Sequence, residues 1–178
     1  YLLTIDNGSR LLIGTNTTKL YVYDGKTFTK IFEITGVNAY VRGLFQDEQG
    51  NLYVNTGYNN SVWRSSDGGN TWVKVLDFDM ASGTKAEAVK PNWVSLGNGT
   101  ILLGEYAGGT GPYIYRSDDW GQTWSLWLNF SSIFSKYAVP DPDNPSYYQM
   151  RHIHAIAYVS ETNELFVSIG DVIHALYK

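Results

Sequence analysis

The sequence predicts an all-β fold, built from a unit of four antiparallel strands that recurs about every 50 residues. The first observation is an octet, Ser-x-Asp-x-Gly-x-Thr-Trp, that begins at Ser65 and again at Ser117. The second is a short apolar strand that follows a polar turn and recurs at residues 10–15, 51–57, 100–104 and 164–170. The third is a content of 15% aromatic residues and 18 glycines in 178 residues, which suits many short strands joined by tight turns.

The repeated octet has the composition of a tight hairpin turn. Its Ser and Asp side chains can hydrogen-bond nearby backbone groups, and its Gly can adopt the positive φ that the corner requires. The Thr-Trp pair then begins the next strand. The defined positions of the two octets are Ser65, Asp67, Gly69, Thr71, Trp72, Ser117, Asp119, Gly121, Thr123 and Trp124. We interpret the octet as a folding element, which predicts architecture rather than activity.

Taken in order, the chain divides into four units, and the second and third each contain an octet near their end. The units cover about residues 1–35, 40–79, 85–130 and 151–178. The first contains a degenerate octet at residues 24–28, in which Phe28 replaces Trp, and the fourth reaches Lys178 at the end of its third strand. Residues 129–150 hold three of the five prolines and predict a long loop between the third and fourth units.

A period of about 50 residues with four strands per unit is typical of the blades of a β-propeller. A propeller closes into a ring because closure protects the edges of its strands. Nearly four blades do not complete the usual ring, so residues 1–178 are expected to be a single propeller domain or a fragment of one. We favour a partial ring, or half of a larger propeller, over a small four-bladed ring. Open ends would also permit self-association.

The two octets resemble the Asp-box, or BNR repeat, of the sialidase-like β-propeller family. The resemblance implies that each octet lies at the turn between the third and fourth strands of a blade, away from the ligand-binding side. It also implies that ligands bind at loops that lead from one blade to the next and from second to third strands. The resemblance brings no catalytic residue with it.

Those loops supply nine candidate ligand-binding residues: Arg42, Tyr58, Glu87, Glu105, Tyr106, Arg151, His152, His154 and Asp171. The strongest local pattern is 151–154, because His152 and His154 are two apart and residues two apart in a strand share a face. Two imidazoles with Asp171 could bind a metal, shuttle a proton or hold a sugar hydroxyl. They could equally hydrogen-bond neighbouring blades, and the pattern does not specify a metal or a cofactor.

The sequence leaves open whether the chain is an enzyme. The sialidase-like family implies an Arg-Ile-Pro motif, and none is present, so true sialidase activity is disfavoured. Glycoside hydrolysis in general needs two carboxylates about 5 to 9.5 Å apart. Glu87, Glu105 and Asp171 are candidates, but no pattern pairs them. Phosphate-binding, serine-hydrolase and zinc-protease motifs are absent from the sequence.

Composition and charge indicate which classes of partner are disfavoured and which cellular compartment is favoured. The net charge is −4 with no basic cluster, which argues against nucleic acid, and no apolar stretch is long enough to cross a membrane. Cysteine is absent, so disulfides and thiolate sites are excluded. Five Asn-x-Ser/Thr sequons, more than the composition predicts, favour an extracellular or surface location: Asn7, Asn16, Asn59, Asn98 and Asn129.

The aromatic residues fall into two groups. Trp72, Trp124 and Phe28 belong to the octets and are expected to pack between blades. Loop tyrosines such as Tyr58, which lies between Gly57 and Asn59, and Tyr106 suit contact with the apolar face of a sugar. The sequence thus predicts recognition of a carbohydrate or glycoconjugate, with or without hydrolysis. A non-catalytic structural or assembly module is the alternative.

Overall fold

A computed structural model confirms the all-β class and shows successive antiparallel sheets. The structure describes residues 2–6, 11–15, 18–36, 40–57, 61–78, 86–87, 92–107, 112–137, 139–143, 145, 149, 151–170 and 175–178. In this part of the chain, no helix is long and apolar enough to cross a membrane.

The first two blades are four-stranded antiparallel sheets whose strands follow one another in sequence order. The first blade consists of β1 (Leu2–Asp6), β2 (Leu11–Thr15), β3 (Lys19–Tyr23) and β4 (Phe28–Glu33). The second consists of β5 (Tyr40–Gln46), β6 (Leu52–Gly57), β7 (Ser61–Ser65) and β8 (Val73–Asp77).

The third and fourth blades follow the same order, with one small sheet added. That sheet pairs β9 (Ala86–Glu87) with β12 (Tyr106–Ala107). The third blade consists of β10 (Trp93–Gly97), β11 (Thr100–Gly104), β13 (Tyr113–Ser117) and β14 (Ser125–Asn129). After the short helix α1 (Phe130–Ile133) and a 3-10 turn at Ser135–Tyr137, the fourth blade consists of β15 (Ile153–Val159), β16 (Glu164–Ile169) and β17 (Ala175–Tyr177).

Among the residues whose side chains the structure describes, the hydrophobic core forms three clusters, and each lies between two consecutive blades. Successive side chains of a strand point to opposite faces, so one strand supplies two clusters. In β6, Leu52 and Val54 face the first blade, while Tyr53 faces the third. In β11, Leu102 faces the fourth blade and joins Ile153 there. The sheets therefore stack face to face, as the blades of a propeller do.

Each octet forms the tight turn that its composition predicts, between the third and fourth strands of its blade. In the first, Ser65 Oγ accepts from the backbone N–H of Gly69 at 2.8 Å and donates to Asp67 Oδ1 at 2.8 Å. The Asp67 carboxylate accepts from the backbone N–H and the hydroxyl of Thr71, at 2.9 and 2.6 Å. The second octet repeats these bonds from Ser117 to Thr123.

Acid should weaken this turn. Hydrogen bonds from the hydroxyl and the backbone of Thr71, and then from Ser65, lower the pKa of Asp67 from 3.8 to about 2. Because folding lowers this pKa, the stabilisation is present above pH 3.8 and is lost as the pH falls through about 2. We expect Asp67→Asn to be less stable than the wild type at pH 7 and to lose less stability over that acid range. Urea unfolding at several pH values tests this, and equal acid losses would contradict it.

Two sequence predictions need correction. Phe28 was expected between blades, but it is 62% exposed and stacks on Tyr23, because the described residues place no sheet against it. Residues 129–150 are not loop throughout, since Asn129 caps α1 by accepting from the backbone N–H of Ser132 at 3.3 Å.

Candidate functional site

Six of the nine predicted residues lie at or next to the joint between the third and fourth blades. At this joint β11 ends at Gly104 and β15 begins at Ile153. The residues that follow Gly104 and those that flank Ile153 therefore share one edge of the two sheets. The six are Glu87, Glu105, Tyr106, Arg151, His152 and His154.

Three aromatic rings, those of Tyr106, His152 and His154, form what we name the ring cluster. The ring of Tyr106 stacks on that of His152, with centroids 3.9 Å apart and planes 8° from parallel. The ring of His154 lies 5.8 Å from that of Tyr106 and 6.0 Å from that of His152. All three side chains are half-buried, so part of each remains accessible to a ligand. The two histidines do lie side by side, as their spacing predicts.

Backbone bonds fix the position of Tyr106. The N–H of Glu105 donates to the carbonyl of Tyr113 at 2.9 Å, and the N–H of Ile153 donates to the carbonyl of Glu105 at 3.1 Å. Tyr106 itself pairs with Glu87 in the small sheet of β9 and β12. Backbone hydrogen bonds at Glu105 and the strand pairing of Tyr106 therefore fix the backbone that carries the Tyr106 ring.

His152 adopts a backbone conformation that is unfavourable for its residue type. Its φ is +66°, in the left-handed region, which typically costs a non-glycine residue about 1 to 3 kcal/mol. It precedes β15 rather than lying within it, and its carbonyl accepts from the N–H of Gly170 at 3.2 Å. Such strain is common at binding and catalytic sites, where the surrounding structure maintains it. Here it directs the imidazole onto Tyr106.

An ion pair anchors the chain segment that leads into the ring cluster. Arg151 Nη1 lies 3.3 Å from Asp141 Oδ2, and the side chains are only 17% and 6% exposed. Asp141 Oδ1 also accepts from the backbone N–H of Asp143 at 3.0 Å. A buried charge needs such a partner, since removing one leaves the other uncompensated. The guanidinium of Arg151, one of the predicted ligand-binding residues, thus holds the preceding loop.

The remaining predicted residues are placed as follows. Glu105 is 2% exposed, so its carboxyl is buried beside the ring cluster. Arg42 is half-buried on β5 of the second blade, at a bulge between Val41 and Gly43, and is not part of the ring cluster. Tyr58 and Asp171 lie outside the described residues. Of the three candidate carboxyl groups for glycoside hydrolysis, the structure describes the side chain of Glu105 only.

The sequons are also distributed between described and undescribed parts of the chain. Asn98 is exposed in the turn between β10 and β11, with φ +53°. Asn129 uses its side-chain oxygen as the cap of α1. Asn7, Asn16 and Asn59 lie outside the described residues. Of the two that can be placed, Asn98 is therefore the one whose side chain is open to a glycan.

Sequence reasoning missed three residues that build this joint: Asn92, Gly104 and Asp141. Asn92 is fully buried and hydrogen-bonds both blades. Gly104 permits close contact, because a Cβ there would lie 2.7 Å from Ile153 Cγ2. Asp141 is buried against Arg151. Of these three residues, only Asp141 drew attention in the sequence, because it lies within the proline-rich segment. The contacts of all three depend on residues elsewhere in the chain.

The chemistry available is that of flat rings and hydrogen-bonding nitrogens. The Tyr and His faces can contact the C–H groups of a sugar, and the imidazole nitrogens can bond its hydroxyls. Among the described residues, no group of three or more His, Cys, Asp or Glu side chains could hold a metal ion.

Comparisons with known proteins place the fold. No protein-family model matches the chain. A xyloglucanase of Paenibacillus sp is 34% identical over 89 residues, which cover 42% of this chain and 9% of that enzyme. A protein of unknown function from Dyadobacter fermentans superposes with a TM-score of 0.58 at 13% identity, over 95% of this chain and 61% of that one. A Trypanosoma rangeli sialidase gives a TM-score of 0.47 at 15% identity, over 94% and 33%.

The chain spans less than two thirds of the length of each of these proteins. At 13% identity, the likeness to the Dyadobacter protein bears on the fold alone. The successive antiparallel sheets, stacked face to face, make this an all-β chain with propeller-like architecture.

Proposed function

We propose that this chain recognises a carbohydrate or glycoconjugate, outside the cell or at its surface, through the ring cluster. The observation that carries the proposal is the stack of Tyr106 on His152, with His152 held at a positive φ. The half-buried aromatic rings and their imidazole nitrogens match the two sides of a sugar, which are apolar C–H groups and hydroxyls. Backbone strain that directs an imidazole onto another ring is more readily explained by a site than by packing.

Two further observations support this proposal. The octets resemble the Asp-box and lie between third and fourth strands, which is the place that the resemblance to sialidase-like propellers implies. The partial relative is named a xyloglucanase, a title that refers to a polysaccharide. Hydrolysis would require a second carboxyl group near Glu105, and Glu87 and Asp171 are the candidates. Release of reducing sugar from the bound oligosaccharide would test for it.

Tyr106→Ala is expected to weaken binding of the best oligosaccharide about tenfold or more, because the ring supplies much of the contact area. The ligand is found by calorimetric titration with neutral and acidic oligosaccharides, including fragments of xyloglucan. Tyr23→Ala is the matched control, since Tyr23 also stacks on an aromatic ring, that of Phe28, at 4.6 Å. Equal affinities for wild type and Tyr106→Ala, or no binding by the wild type, would contradict the proposal.

An assembly module is the second candidate, and exposed apolar side chains favour it. Phe28 of the first blade is 62% exposed and Leu176 of the fourth is 69% exposed. Sheet faces with such residues could pack against a second copy of the chain. Light scattering on the native protein separates the candidates: a dimer supports assembly, and a monomer that binds an oligosaccharide supports recognition.

A further inference from the structure

Asn92 lies directly before β10 and is completely buried. Its side-chain nitrogen donates to the carbonyl of Gly104 at 3.3 Å and to the carbonyl of Ile153 at 2.5 Å. Gly104 is the last residue of β11 and Ile153 is the first of β15. One amide group therefore joins the ends of two strands that belong to different blades.

Those two strand ends carry the ring cluster. Tyr106 follows Gly104 by two residues, and His152 and His154 flank Ile153. The N–H of Ile153 also donates to the carbonyl of Glu105, and the missing Cβ of Gly104 lets Ile153 approach. The separation between Tyr106 and His152 is thus set by contacts at a single point, and the Asn92 side chain provides two of them.

The amide group of Asn92 is well suited to bridging two backbone carbonyl groups. Bridging two carbonyl groups requires two N–H donors on one short side chain, which only an Asn amide supplies at this length. An Asp would place oxygen against both carbonyl oxygens, and a Ser has one donor. The oxygen Oδ1 of Asn92 is buried and has no hydrogen-bond partner among the described residues. Burying an oxygen without a hydrogen bond costs free energy, and the two hydrogen bonds that the side-chain nitrogen donates must compensate for this cost.

We infer that Asn92 is a positioning residue for the ligand site: it holds the two strand ends so that Tyr106 and His152 are already stacked before a ligand arrives. The inference rests on the proposed function for its ligand, but the stack itself can be observed without one. A preformed site binds more tightly because less ordering is needed on binding. Loss of the Asn92 bonds should therefore separate the rings and weaken affinity.

The test is proton NMR of the imidazole groups. The chain has three histidines, His152, His154 and His174, so each resonance can be assigned with a His→Gln variant. In the wild type, the protons of His152 should be shifted upfield by the ring current of Tyr106, 3.9 Å away. In Asn92→Asp this upfield shift should be lost, and affinity for the oligosaccharide should fall about tenfold. Asn92→Ser retains one donor and should lose part of the shift, so it serves if the Asp variant does not fold.

Asn51→Ala is the matched control, because Asn51 is also buried and hydrogen-bonds Asp47 and Arg64 in the second blade. It should reduce stability while leaving the His152 resonances in place. Wild-type resonances in both Asn92 variants, or the same displacement in Asn51→Ala, would overturn the inference. If the Asn92 variants lose the shift while the wild type binds no oligosaccharide, the positioning role stands and the proposed function fails.

Discussion

Trp72→Ala is expected to lower the free energy of unfolding by about 3 kcal/mol, the lower end of the range for a truncated Trp, because this side chain is only half-buried. The indole packs on Phe32 of the first blade, with ring centroids 5.0 Å apart. Its N–H also donates to the carbonyl of Ile31 at 2.7 Å. The substitution therefore removes both packing and a hydrogen bond between the first two blades.

Two variants separate these contributions in urea unfolding at pH 7. Trp72→Phe retains much of the packing and loses the donor, so it should cost about 1 kcal/mol. Trp124→Ala removes the same residue from the second octet, where the indole N–H donates to Gly121 within its own turn at 3.1 Å. It should therefore cost less than Trp72→Ala. A loss below about 1 kcal/mol for Trp72→Ala would show that the octet residue does not join the blades.

Much of the fold could be predicted because its signals are local. The octets place Asp67 and Thr71 within hydrogen-bonding distance through four residues of chain, so the turn is encoded where it forms. The alternation in β6 likewise assigns Leu52 and Tyr53 to opposite faces. Phe28 was misjudged because its burial depends on a neighbouring sheet, and its own sequence cannot show whether one lies against it.

The candidate site was predictable only in part, for the same physical reason. The spacing of His152 and His154 indicated that they lie together, and both contact Tyr106 in the structure. The bond from Asn92 to Ile153 joins residues 61 apart in the chain, which no local pattern could indicate. The ion pair of Arg151 with Asp141 could not be predicted from the sequence either, because no local pattern pairs these two residues.

Gly121→Ala is expected to cost about 2 to 4 kcal/mol, more than the same change at the equivalent Gly69. Both glycines have a positive φ, +68° and +98°, so both changes introduce backbone strain. The two substitutions differ in cost because the added Cβ would approach different atoms. At Gly121 it would lie 2.4 Å from Tyr53 Cε1, and at Gly69 it would lie 2.8 Å from Ile31 Cδ1, the end of a flexible side chain.

The ring of Tyr53 cannot move aside easily, because its hydroxyl is fixed. The hydroxyl oxygen lies 2.7 Å from Asp47 Oδ2 and 2.8 Å from the carbonyl oxygen of Trp120. Burial, and then the contact with Asp47, raise the pKa of Tyr53, so the hydroxyl remains a donor across the range in which the protein is studied. Arg64 Nε donates to the same carbonyl of Trp120 at 2.6 Å, which holds the octet of the third blade against the second.

Thermal and urea unfolding of Gly69→Ala and Gly121→Ala measure the difference directly. Gly69→Ala should cost about 1 to 2 kcal/mol, which is the backbone strain with little added crowding. Gly121→Ala should cost less free energy of unfolding in the Tyr53→Ala variant than in the wild type. Without the Tyr53 ring the clash is absent, and only the backbone strain remains. Equal costs for the two glycines, or strictly additive losses in the double variant, would mean that backbone strain alone decides and that the joint between the second and third blades is not held by Tyr53.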